Sequence, residues 1–336
     1  MPKTIRNEYD KKLTYDNLMK AHLESRKGKS LRKEIILFNL KQEEYIMWLY
    51  EQLKNGTYKH SGYTTFYVTE PKLRIIEKSI YLDRIVHRWY VDNFMKQYFI
   101  KSFINTSYAC LEDKGMHKAC LDVQNTMKHC KRIWNNYYII KMDVAKYFQN
   151  IDKEILYKIL LRKIKDKKLL WLTKEILYSN GEEKGLPIGN YTSQCFANVY
   201  LNEVDQYAKH NLKLKYYFRY MDDIIAIVKT KKEAIQKLLL IRQFLKEQLD
   251  LELNSKTQIF KSTQGVNFCG YKINEYRLKI RDRGKKKLKN KVKKLKYEIR
   301  TGVISSKDAQ RYLAGHLGYI DIANVKTLKE KLFHVE

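Results

Sequence analysis

The stretch RYMDDIIAIV, residues 219–228, sets two adjacent carboxylates, Asp222 and Asp223, between a run rich in aromatics and a run of aliphatic, mostly β-branched residues. Two like charges at a strand tip are unfavourable unless a cation neutralises them, and divalent metal is the usual remedy. A third acid is then required from elsewhere. Asp143, 79 residues before Asp222 and at the end of YYIIKMDV, is the natural candidate. Three carboxylates at one sheet edge suit two Mg²⁺ ions about 4 Å apart, which stabilise the attacking and leaving oxygens of a phosphoryl transfer. The expected chemistry is nucleotidyl transfer. An Asp-Asp turn alone is ordinarily a solvated hairpin, so the reading depends on what surrounds it.

The surrounding elements are of the kind that would bring the acids together. YYIIKMDV reads as a strand delivering Asp143 to an edge, and Asp152 then caps a helix carrying Ile155, Leu156, Ile159 and Leu160 on one face. KYYFRYM and DIIAIV are two strands flanking the paired aspartates. Before them in the chain lies GLPIGN, residues 185–190, a loop by its Gly and Pro content, followed by a helix with Phe196, Tyr200 and Val204 at every fourth position. Upstream, residues 1–58 read as helical, with Ile46, Leu49 and Leu53 at helical spacing and Gly56 as a left-handed cap. YTTFYVTEP is a strand closed by Pro71 ahead of the basic segment KLRIIEK, and helical periodicity resumes from Ile80 to Phe103. From Arg283 to Arg300, ten of eighteen residues are Lys or Arg, while Leu288, Val292, Leu295 and Ile299 form one apolar stripe. This is an amphipathic helix with a very basic face.

At 336 residues the chain has room for two or three subdomains sharing a large core. Its 67 Lys plus Arg against 37 Asp plus Glu give a formal charge of +30, spread along the chain, and nucleic acid is the commonest polyanion that needs so large a basic surface. Five cysteines, without a CxxC pair, argue against a disulfide scaffold. The spacing of Cys110, His117, Cys120, His129 and Cys130 matches no standard zinc set, so ordinary packing is expected. No apolar run approaches the roughly 18 residues of a membrane span, and the N-terminus carries charges where a signal peptide needs an apolar core. A cytoplasmic location without membrane partners is expected.

Tyr-Met-Asp-Asp between two strands, preceded by Asp-Val-x-x-Tyr-Phe and then Gly-Leu-Pro-x-Gly, resembles the palm of a reverse transcriptase. The resemblance extends over nearly the whole chain and implies an α+β, right-hand polymerase fold. Its divisions would be an N-terminal helical extension (1–58), fingers (59–136), a palm of antiparallel sheet plus helices (137–275, with a fingers segment at about 160–190) and a short, basic helical thumb (276–336). Asp143, Asp222 and Asp223 look like the metal-binding triad, with Val144 beside them, for two Mg²⁺ that Mn²⁺ could replace. Phe148 looks like the gate against a ribose 2′-hydroxyl. In EPKLRIIEKSIYLDRIVH, Lys72 and Arg74 are placed to hold the dNTP triphosphate, which suits the fixed donor fork of Arg. Ile188 and Gly189 fall at the dNTP site as well. SYACLEDKGMHKA resembles the second fingers block, with Leu111 where many relatives carry Arg. LELNSKTQIF looks like the segment whose lysine, Lys256, protonates the leaving pyrophosphate, and NFCGYKI resembles the primer-grip hairpin. Lys285, Lys286, Lys289, Lys293 and Lys296 are then expected on the RNA/cDNA duplex.

Within that family, most relatives read Gln-Gly with a later Ser-Pro, whereas GLPIGNYTSQCFAN has Ile188-Gly189 and Ser193-Gln194. This pattern, with LTYDNLMKAHLESRKGKS, is similar to the reverse transcriptases of diversity-generating retroelements. Such enzymes copy a template RNA into cDNA mutated at adenines, and the resemblance implies a small helical accessory protein as partner. The closest rival is a reverse transcriptase of a bacterial phage-defence system. A group II intron maturase is less expected, because little chain follows the thumb. A non-catalytic RNA-binding protein on the same fold would have lost a triad acid, and all three are present.

Overall fold

The computed structural model describes residues 4–69 and 73–333. Helices α1 (Tyr9–Lys12), α2 (Tyr15–Arg26), α3 (Lys33–Asn39) and α4 (Gln42–Asn55) precede strands β1 (Tyr63–Val68) and β2 (Arg74–Ser79). Then come α5 (Tyr81–Tyr90), extended by a π-helical stretch over Val91–Phe99, α6 (Met116–Trp134), β3 (Tyr138–Asp143), α7 (Tyr147–Asn150), α8 (Lys153–Leu161), α9 (Lys167–Leu177) and α10 (Tyr191–Gln206). β4 (Tyr216–Tyr220), β5 (Asp223–Val228), α11 (Lys231–Leu249), β6 (Gln258–Lys261), β7 (Val266–Phe268), β8 (Tyr271–Ile273), β9 (Leu278–Ile280), α12 (Asp282–Arg300), α13 (Ser306–Ile320) and α14 (Lys326–Phe333) complete it. The mixture of helices and antiparallel sheets is the α+β class expected. Among the described residues no helix is long and apolar enough to cross a membrane.

These elements pack into two compact units, each assembled from segments distant in sequence. The first comprises Met1–Asn105, Val144–Asn211 and Ile241–Leu253. Thr14 caps α2 by accepting from the Asn17 N–H, and α4 follows the sequence signals: Ile46, Leu49 and Leu53 are buried and Gly56 ends the helix at φ 71°. The segment KLRIIEK, read only as basic, holds β2, which pairs antiparallel with β1 along its whole length. Asp152 caps α8 through the Ile155 N–H; Leu156, Ile159 and Leu160 are buried there while Ile155 is half-exposed.

The second unit comprises Thr106–Asp143, Leu212–Leu240 and Asn254–Glu336. Its centre is a four-stranded antiparallel sheet in the order β4-β5-β3-β6, beside a three-stranded sheet β7-β8-β9. Period-2 alternation puts Ile139 of β3 and Ile225 and Ile227 of β5 on one face, where they pack with Val123 and Met127 of α6, Phe268 and Leu288. α12 contributes Leu288, Val292 and Leu295 to the buried side. Ile299 departs from the expected stripe: it is 38% exposed, because it lies in the last turn, one residue before the helix ends at Arg300.

Candidate active site

β3 and β5 are antiparallel neighbours whose register runs from Tyr138↔Val228 to Asp143↔Asp223, so the two aspartates stand directly opposite each other at the strand ends. Tyr220 of β4 pairs with Asp223, leaving Met221 and Asp222 as the hairpin turn. Met221 takes a left-handed φ of 51°, costly for a residue with a Cβ, and its carbonyl accepts from Nη1 of the fully buried Arg219 at 3.3 Å. A buried guanidinium thus braces the turn that carries Asp222.

Like charges facing each other across a ladder need a compensating group. Lys141, two residues before Asp143 and therefore on the same face of β3, forms an ion pair with Oδ1 of Asp223. Burial pushes the Lys141 ammonium down to about 8, against the opposing pull of Asp143 and Asp222. Asn254 donates from Nδ2 to Oδ2 of Asp143, and its backbone N–H donates to the Asp143 carbonyl at 2.8 Å. The Asn254 side-chain oxygen accepts in turn from the Lys256 N–H at 2.8 Å. One loop therefore ties Lys256 to Asp143. Asp143, Asp223, Lys141, Lys256 and Arg281 all line a cavity of about 450 Å³, together with Phe268 of β7 and Cys269 of the β7–β8 turn. Lys256 is exposed at its rim, and Asp222 is half-buried in the neighbouring turn.

The donor set fits a hard divalent cation: carboxylate oxygens, two of them facing each other, with a cation already drawn to one and an amide to the other. Among the described residues no cluster of three or more His, Cys, Asp or Glu side chains is gathered closely enough to hold an ion. The five cysteines are free thiols: Cys120, Cys130 and Cys195 are buried, Cys269 is half-buried and Cys110 is exposed, so packing does not account for all of them.

The residues expected at the dNTP belong to the first unit. Phe148, half-buried in α7, is tied to the GLPIGN loop: the Leu186 N–H donates to the Phe148 carbonyl and the Gly185 N–H to Ile151, both at 2.8 Å. Further along, the Ile188 carbonyl accepts from the Glu77 N–H at 2.9 Å, and the Asn190 side chain bridges Glu77 and Ser79. The loop is thereby sewn to β2, the strand that Arg74 begins. Gly189 is required there, since at φ 123° a Cβ would lie 2.9 Å from Cγ2 of Ile76. Ile188 is half-buried, and Arg74 is exposed at its strand end. Val144 is buried and bridges to Leu253. Lys72 lies outside the described residues.

On α12, Lys286, Lys289, Lys293 and Lys296 are exposed opposite the buried Leu288, Val292 and Leu295. Lys285 is half-buried and pairs with Asp282 at 3.0 Å. Sequence reasoning missed Lys141, Arg219 and Asn254. The first was legible from strand alternation, at i−2 from Asp143; the other two act through contacts with a turn and a loop that no spacing announces.

The family described as Reverse transcriptase (RNA-dependent DNA polymerase) matches residues 68–273. The chain is 26% identical over 270 residues to Protein YkfC of Escherichia coli (strain K12), covering 67% of this chain and 70% of that protein. It is 24% identical over 326 residues to Group II intron-encoded protein LtrA of Lactococcus lactis subsp. cremoris, covering 75% of this chain and 52% of LtrA. To the Putative COX1/OXI3 intron 2 protein of Saccharomyces cerevisiae it is 23% identical over 277 residues, covering 63% of this chain and 30% of that protein. The match thus spans about half or less of the two intron proteins. With more than half of its length matched by the family and an acidic sheet edge of the kind described, the chain belongs to the reverse transcriptases, the RNA-dependent DNA polymerases.

Proposed function

We propose that this reverse transcriptase serves a diversity-generating retroelement, copying a template RNA into cDNA that is error-prone at template adenines. The observation that carries the reading is Ile188 in GLPIGNYTSQ, an apolar residue at the place where the family resemblance leads one to expect Gln. A site that checks polar geometry rejects a misfit by leaving buried groups unpaired, whereas an apolar wall discriminates by only about 1–3 kcal/mol. Ile188 also lies where its carbonyl joins β2, so its side chain is held at a fixed place in the first unit.

In this reading Asp143, Asp222 and Asp223, with Val144, would hold the divalent ions, which would supply the positive charge that a phosphoryl transfer needs. Arg74 and Lys72 pair with the incoming triphosphate, and the Phe148 ring excludes a 2′-hydroxyl. Lys256 gives a proton to the leaving pyrophosphate. Lys285, Lys286, Lys289, Lys293 and Lys296 hold the RNA/cDNA duplex through its phosphates. A small helical accessory protein is the further partner this reading implies.

The test is to sequence cDNA made on one RNA by wild-type enzyme and by Ile188→Gln. Frequent misincorporation by the wild type, reduced in Ile188→Gln with activity retained, supports the proposal. Equal error spectra remove Ile188 from the mechanism, and uniformly low error favours a phage-defence or intron-type enzyme, the latter suggested by the likeness to LtrA.

A further inference from the structure

We propose that Lys141 is a resident counter-cation of the acidic site, a positioning residue that holds Asp223 until a divalent ion displaces it. The inference rests on reading Asp143, Asp222 and Asp223 as the metal ligands. Lys141 faces Ile225 in the β3–β5 register and Asp143 faces Asp223, which makes Lys141 the diagonal neighbour of Asp223. Diagonal positions lie about 7–8 Å apart, within reach of a lysine stem. The ammonium is on Asp223 Oδ1, and it lies 5.7 Å from the centre of the Phe268 ring.

An ordinary surface lysine would extend into water. This one has a side chain only 14% exposed, and Ile139, two residues earlier on the same strand face, is fully buried. Lys141 therefore stands where the apolar core of the second unit gives way to the acids. Without a cation there, two carboxylates facing each other and a third one residue away would repel across the strand ends. A salt bridge drawn from a buried position is costly to form and is kept where it fixes a geometry. Here the geometry fixed is that of Asp223.

A divalent ion on the same carboxylate would carry twice the charge of the ammonium and would repel it at this distance. Metal binding therefore works against the Lys141–Asp223 bridge. This yields a sign that mere structural support would not: removing the lysine charge tightens metal binding.

The experiment titrates the full-length protein with Mn²⁺ as a paramagnetic probe, following free Mn²⁺ by electron paramagnetic resonance, alongside thermal unfolding in chelator. Lys141→Met is expected to bind Mn²⁺ roughly tenfold more tightly, the effect of one competing charge near a protein surface. Its melting temperature should fall in chelator and recover with Mn²⁺, and Lys141→Arg should behave as wild type in both measurements. Unchanged or weaker Mn²⁺ binding by Lys141→Met overturns the proposal. Should that variant fail to fold, Lys141→Gln replaces it in the titration: tighter Mn²⁺ binding supports the proposal, and unchanged or weaker binding overturns it. Asp223→Asn separates the premises: if it binds Mn²⁺ as tightly as wild type, the metal assignment itself is wrong and the role of Lys141 falls with it.

Discussion

Asp143 and Asp223 are directly opposed in the β3–β5 register, and the amide of Asn254 holds one while the ammonium of Lys141 holds the other. An antiparallel ladder thus fixes the spacing of two acids, and a loop and a lysine fix their rotamers.

Phe148 is half-buried, and its carbonyl is locked to Leu186, so the backbone of this segment does not depend on the ring. Phe148→Ala is expected to admit ribonucleotides while primer extension with dNTPs survives. Extension assays with each nucleotide set check this, and undiminished discrimination would return Phe148 to a packing role.

The exposed lysines of α12 point away from its buried stripe, so they can be neutralised without disturbing the core. Replacing Lys286, Lys289 and Lys293 by Gln should flatten the slope of log affinity against log salt for an RNA/DNA duplex by roughly 2–3. The check is binding measured across a salt series. An unchanged slope would put the duplex elsewhere.

Among the described residues neither ring nitrogen of the buried His87 makes a hydrogen bond, and burial, reinforced by the neighbouring His60, pushes its imidazolium down to about 3. Between about 3 and the ordinary 6.5 the unfolded chain therefore binds the proton and the folded chain does not. Stability contributed this way is present above pH 6.5 and is lost as pH falls. Relative to His87→Phe, the wild type should lose on the order of 3 kcal/mol between pH 7 and pH 4. Denaturant unfolding at the two pH values measures this, and parallel pH dependence in both proteins would contradict it.

Much of the candidate site was legible because it rests on local periods. Strand alternation and the end of a hydrophobic run identify Asp143, and the break between two strands identifies Asp222 and Asp223. The α12 stripe follows from helical spacing as far as Leu295 and fails at Ile299, where the helix is about to end. What stayed hidden depends on contacts between distant segments. Ile188 meets Glu77 across 111 residues of chain, and Asn254 meets Asp143 with the same separation. The compact units share this property, since each is assembled from pieces that the sequence interleaves. Lys141 is the intermediate case, marked by its i−2 position yet indistinguishable by type from the other basic residues of so basic a chain.

The most direct test of the account is primer extension on an RNA template with dNTPs and Mg²⁺ by wild type, Asp143→Asn and Asp222→Asn. Wild-type protein should extend the primer, and each variant should lose on the order of 10³-fold in rate, as expected when one charge-stabilising group leaves a catalytic centre. Their unfolding midpoints should stay within a few degrees of wild type, about the shift expected for a change of 1 kcal/mol in a chain of this size. Extension by Asp222→Asn at the wild-type rate would contradict the assignment of these carboxylates.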